Sequence, residues 1–161
     1  MRTPWRKLFV ITAASTLLML WAGTASADAP KFHSATSSVN GSGALVVNWD
    51  ERGLGNDNID YTLTADASAL YACINGGGNH PQASNKEAFE GQVSTGGSFQ
   101  PKNGRVVASV TAGPLQAPQF TCPNGQRRVL AAVSYTNTLL CDITNDVCTP
   151  VPDASRVFFD V

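Results

Sequence analysis

The side chains best placed to do chemistry sit in one polar, glycine-rich stretch running from Asn75 to Lys86. Its central residues are Gly77, Gly78, Asn79 and His80, with Asn75 and Asn85 at its ends. Consecutive glycines let a backbone come close to a ligand, and the asparagine amides and the imidazole supply hydrogen bonds. A structureless stretch of about 12 residues is uncommon in a compact domain unless it is functional or disordered. It is not a phosphate loop, since it lacks the Gly-Lys-Ser/Thr ending and no helical pattern follows. The commoner role for such a stretch is a plain connection between strands, tethered here by Cys73.

Other groupings are less directed. His80 and His33 are the only histidines. A serine triad would use one of them, but no G-x-S-x-G elbow marks a nucleophile. The two are too far apart in sequence for a zinc signature. Asp57, Asn58 and Asp60 carry oxygens that suit calcium, without the twelve-residue loop and its terminal glutamate. Asp50 and Glu51 are neighbours, so on a strand they point to opposite faces. That reads as a rim charge pair or turn flank, not as two carboxyls facing across a cleft at about 5–9.5 Å. Trp49, Tyr61, Tyr71 and Tyr135 would make a sugar-stacking platform if exposed, but aromatics on strands belong more often to the core. Asn40-Gly41-Ser42 fits a glycosylation sequon, yet Asn-Gly recurs at Asn75, Asn103 and Asn124, which is turn chemistry. No residue is assigned as catalytic, and no metal or cofactor is expected.

The elements that must position these residues are strands. Leu45, Val47 and Trp49 share one face of a first clear strand. Ile59, Tyr61 and Leu63 alternate with Asp60, Thr62 and Thr64, the cleanest period-two signal in the chain. Shorter strands are read at 32–39, 70–74, 89–93 and 106–110, a long one with room for a bulge at 128–140, and a last one at 157–161. Gly96 to Gly104 reads as turn, and Thr144-Asn145-Asp146 as a hairpin turn. After residue 27 no 3.6-residue apolar stripe occurs. The pattern predicts an all-β, immunoglobulin-like antiparallel β-sandwich of about seven to nine strands. Trp49, Tyr61, Leu63, Val110, Val133, Tyr135 and Phe159 are expected to share its central layer.

The amino terminus sets the compartment. Arg2, Arg6 and Lys7 precede a 16-residue apolar run, Leu8 to Gly23, which ends at Ala25-Ser26-Ala27. A basic start, a short apolar middle and a small-x-small end make a secretory signal peptide, 1–27, and a single domain, 28–161. A spanning helix needs about 20 apolar residues. No cysteine near the cleavage site offers a lipid anchor, and no Arg-Arg pair precedes the apolar run. Three of the eleven Lys and Arg leave with the signal, so eight face twelve Asp and Glu. That acidic balance disfavours nucleic acid and anionic membrane as partners. In an oxidising space Cys73, Cys122, Cys141 and Cys148 read as two disulfides, because no C-x-x-C pair suggests zinc. Four cysteines allow three pairings. Cys141 and Cys148 flank the proposed hairpin turn, which leaves Cys73 with Cys122.

Two resemblances bear on this reading. The Trp49 strand followed by Ile59-Asp60-Tyr61 resembles the tryptophan and tyrosine strands of fibronectin type III domains, which lack this cysteine arrangement. Tyr71 to Asn75, Gly77 to Pro81, Ser98 to Arg105 and Phe120 to Pro123 are similar to a family of small secreted proteins of high-GC Gram-positive bacteria. That resemblance implies export, a β-rich fold and a bond between Cys73 and Cys122. It carries no activity and therefore no site residues, and the pair Cys141 and Cys148 lies outside its pattern. The expected function is a secreted, non-catalytic module that binds an extracellular or cell-envelope ligand. The alternatives are a secreted hydrolase using His80, or a secreted inhibitor or toxin.

Overall fold

The computed structural model describes residues 29–75 and 85–161. The segment read as a signal peptide lies outside the described residues. The described chain is all β, in two antiparallel sheets packed face to face. Its strands are β1 (Lys31–Val39), β2 (Leu45–Arg52), β3 (Ile59–Asn75), β4 (Lys86–Phe99), β5 (Arg105–Ala112), β6 (Gln126–Asp142), β7 (Val147–Pro150) and β8 (Ala154–Val157). Sheet A has the order β1-β2-β5. Sheet B has the order β4-β3-β6-β7, with β8 also pairing β6.

Period-two patterning builds the core. Leu45, Val47 and Trp49 of β2 are 0, 0 and 2% exposed, while Asn48 and Arg52 face water. On β3 the inward set runs Ile59, Tyr61, Leu63, Ala65, Ala67, Ala69 and Tyr71. Trp49, Tyr61 and Phe99 form an aromatic knot with ring centroids 4.8 to 5.7 Å apart. Buried in this way, Trp49, Tyr61 and Tyr135 belong to the core and offer no stacking platform.

Two elements are longer than their local sequence suggests. β3 runs unbroken for 17 residues through Ala65–Ser68, a stretch poor in strand formers. It is the middle strand of three, paired with β4 on one side and β6 on the other, and that pairing overrides weak propensity. β4 continues through Gly96 and Gly97, which sequence places in a turn. A Cβ on Gly96 would sit 2.5 Å from the Tyr61 carbonyl oxygen. Glycine there permits a close strand approach rather than a bend.

Phe159 leaves the central layer that its spacing suggests. The β3–β6 register shifts between Leu70 and Tyr71, where Ala131 is the extra residue on β6. The Ala131 carbonyl accepts hydrogen bonds from the Phe158 and Phe159 amides at 2.7 and 3.1 Å. Phe159 and Val161 thereby cover a second small cluster of Ala72, Ile74, Val129 and Ala131 on the outer face of sheet B. The last strand accordingly ends at Val157, which is 70% exposed.

Both disulfides pair as expected. Cys141 and Cys148 are direct partners across the β6–β7 hairpin, with Cα atoms 4.1 Å apart. Cys73 on β3 bonds Cys122 in the β5–β6 connection, with Cα atoms 5.5 Å apart. Tyr71 Oη also holds this connection through the Leu115 carbonyl at 2.8 Å, and Arg128 Nη1 through the carbonyls of Ala117 and Phe120.

Candidate functional site

The glycine-rich stretch is the connection at the tip of the β3–β4 hairpin. Gly77, Gly78, Asn79 and His80 lie outside the described residues. Asn75 and Asn85 flank the tip, both exposed. The Asn85 carbonyl accepts the Cys73 amide at 3.0 Å, so its backbone closes the hairpin. His33 is on β1, exposed, at the register shift between Phe32 and Ser34. No hydrogen bond from its side chain to a serine or carboxylate is present among the described residues. Nor is any group of three or more His, Cys, Asp or Glu gathered there as a metal would require.

What the strands do bring together is a polar array on the outer face of sheet B. Register sets Gln92, Asp66 and Thr136 in one row across β4, β3 and β6, and Glu90, Ser68 and Ser134 in the next. Each row member is two residues from its neighbour along the strand, so all six side chains leave the same face. They line a shallow groove of about 560 Å³ with Gly91 in its wall. Asn137, in the left-handed region at φ 50°, forms part of a bulge on β6 and donates from Nδ2 to Asp66 at 2.8 Å. Two carboxylates, three hydroxyls and an amide in a fixed lattice can hold a polyhydroxylated ligand by hydrogen bonds. No local motif announces this array. Its six residues lie in three separate stretches, and only strand register makes them neighbours.

Of the two acidic residues at the end of β2, Glu51 was misplaced by sequence reasoning. Glu51 is no rim charge; it is fully buried between the sheets, as is Asp142 at the end of β6. The Tyr61 hydroxyl donates to Glu51 Oε2 at 2.6 Å, while Oε1 has no hydrogen-bond partner among the described residues. Asp142 accepts the amides of Thr144 and Asn145 and the Asn145 side chain, capping the β6–β7 turn. Burial pushes the Glu51 carboxyl up to about 7; the Tyr61 bond works against this, and the neighbouring Asp142 adds to it. The Leu45–Val47–Trp49 phase already pointed Glu51 inward. Both carboxyl groups are sealed from water between the sheets, so their titration bears on stability. Asp50 behaves oppositely. It faces outward and accepts Arg52 and Arg105 as paired hydrogen bonds. These hold its carboxyl well below the usual carboxylate range.

Compared with known family models, curated proteins and solved structures, the chain matches none.

Proposed function

We propose that the chain is a secreted, non-catalytic binding module that holds a polyhydroxylated extracellular or envelope ligand on the outer face of sheet B. The observation that carries this reading is the two-row lattice of Asp66, Ser68, Glu90, Gln92, Ser134 and Thr136. Two disulfides support an oxidising setting, and the signal-like amino terminus supports export. An immunoglobulin-like reading is supported by sheet membership. β1, β2 and β5 stand as the first, second and fifth strands of that fold, and β3, β6 and β7 as its third, sixth and seventh, with β4 added beside β3. The departures from it are Trp49 on the second strand and the absence of a bond between the second and sixth.

The test is titration of the purified protein with a panel of neutral oligosaccharides and soluble cell-wall fragments, read by amide chemical shifts. Shifts are expected at Asp66, Ser68, Gly91 and Ser134. The pair Asp66→Asn and Glu90→Gln is expected to weaken binding at least tenfold with an unchanged melting temperature. A ligand that shifts other amides only, or a panel that shifts none, would remove the reading.

A further inference from the structure

Sheet A carries a second feature, independent of the sheet B lattice. Of the eight Lys and Arg after residue 27, four converge on one corner: Lys31, Arg52, Lys102 and Arg105. Register places Lys31 opposite Arg52 and Arg52 opposite Arg105, and Lys102 is bridged to Arg105. All four are exposed. Like charges directly opposite on a sheet are destabilising, so a row of three cations across three strands needs an offset. Asp50 supplies one negative charge against four positive ones. It also holds both guanidinium groups in place, bonding Nε and Nη2 of each. Among the described residues nothing else bonds their Nη1 groups or the second Nη2 hydrogens, and both side chains are 49% exposed.

The surroundings fit that use. A hollow of about 420 Å³ on one side of the Asp50 clamp is lined by Lys31, His33 and Arg52. Another of about 330 Å³ on the other side is lined by Lys102, Arg105 and Gln100, over an apolar wall that includes Phe99, Val106 and Val107. Among the described residues neither has an Asp or Glu in its wall, in a chain whose overall balance is acidic. The bulge at His33 contributes as well. It resets the alternation so that His33 and Ser34 both face out while Phe32 and Ala35 pack inward. Arginine forks suit planar or tetrahedral oxyanions, which they bind by paired hydrogen bonds.

We propose that this corner of sheet A docks an anionic glycan, whose carboxylate, sulfate or phosphate groups seat in the two hollows beside the Asp50 clamp. The row spans roughly 10 Å over two strand spacings, about the length of a disaccharide. A nucleic acid fits less well: none of the exposed large apolar residues of the described chain, Val107, Leu139, Ile143 and Val157, can stack on a base, and the half-buried Phe99 ring in the second hollow is held edge-on against Trp49 and Tyr61. A lipid surface fits less well too, since Val107 is the one large exposed apolar side chain at either hollow, while Phe99, Val106 and Ala108 there are buried or half-buried.

The experiment titrates the purified protein with dextran sulfate, neutral dextran, inorganic sulfate, a single-stranded oligonucleotide and anionic lipid vesicles. Dextran sulfate is expected to bind, and to weaken steeply as salt rises. Neutral dextran is expected not to bind. Lys31→Gln with Lys102→Gln should lower the affinity at least tenfold, and Lys31→Arg with Lys102→Arg should retain it. Lys86→Gln with Arg127→Gln removes the same charge at the opposite end of the sandwich and should change affinity less than twofold. Asp66→Asn with Glu90→Gln should leave dextran sulfate binding intact, which separates this site from the sheet B lattice. The proposal is overturned by equal losses in the Lys31→Gln with Lys102→Gln pair and the Lys86→Gln with Arg127→Gln pair, by tighter binding of oligonucleotide or vesicles, by inorganic sulfate binding as well as the polymer, or by no binding of dextran sulfate.

Discussion

A carboxyl group taken out of water and set beside a second carboxylate keeps its proton, and Glu51 is in that position. The consequence for stability has a definite sign. Below the ordinary value of 4.5 both folded and unfolded chains hold the proton. Between 4.5 and about 7 only the folded chain does, so stability falls across that window by roughly 3 kcal/mol and is flat above it. Asp50 works the other way: its depressed carboxyl adds stability at and above its ordinary 3.8 that is lost as pH falls further. The melting temperature is therefore expected to peak near pH 4–5 and to drop on the order of 10 °C by pH 8. Glu51→Gln, which keeps the acceptor for Tyr61 without a charge, should melt like the parent at pH 5 and abolish the drop. A variant that still loses stability over that window would show that another group controls it.

At the scale of elements, the close approach of β4 to β3 depends on glycine at position 96. Gly96→Ala would drive a methyl into the Tyr61 carbonyl. It is expected to cost roughly 1–3 kcal/mol by forcing the strand outward. Gly55→Ala, in open space at ordinary φ, should stay within about 0.5 kcal/mol of the parent. Urea unfolding of both variants checks the contrast, and equal effects would refute the close-approach reading. The same strand shows where local sequence stops being informative. β2 and the start of β3 were legible because large apolar residues alternate with polar ones. β4 has few such residues, since its edge position leaves much of it in water. The middle of β3 is alanine and serine, and only two flanking strands make it a strand.

At the scale of the molecule, the two covalent links are unequal. Cys73–Cys122 closes a span of 49 residues and ties the β5–β6 connection to β3; Cys141–Cys148 closes one of 7 within a single hairpin. Loop-closure entropy gives about 4 and about 2 kcal/mol for them. Cys73→Ala with Cys122→Ala should therefore lower the melting temperature clearly more than Cys141→Ala with Cys148→Ala. The reverse order would show that local hairpin strength, not chain closure, dominates.

What the chain's residue order determined unaided was the architecture: period-two patterns, frequent turns and an even number of well-spaced cysteines suffice for an all-β, two-sheet, doubly crosslinked fold, because burial of alternate side chains is a local code. The placement of chemistry was decided only by the tertiary structure. The six polar residues of the sheet B lattice, the cation row of Lys31, Arg52 and Arg105, and the meeting of Glu51 with Asp142 all join positions far apart in the chain. Such groups become neighbours through strand register and sheet packing, and those are set by the whole core rather than by any one segment.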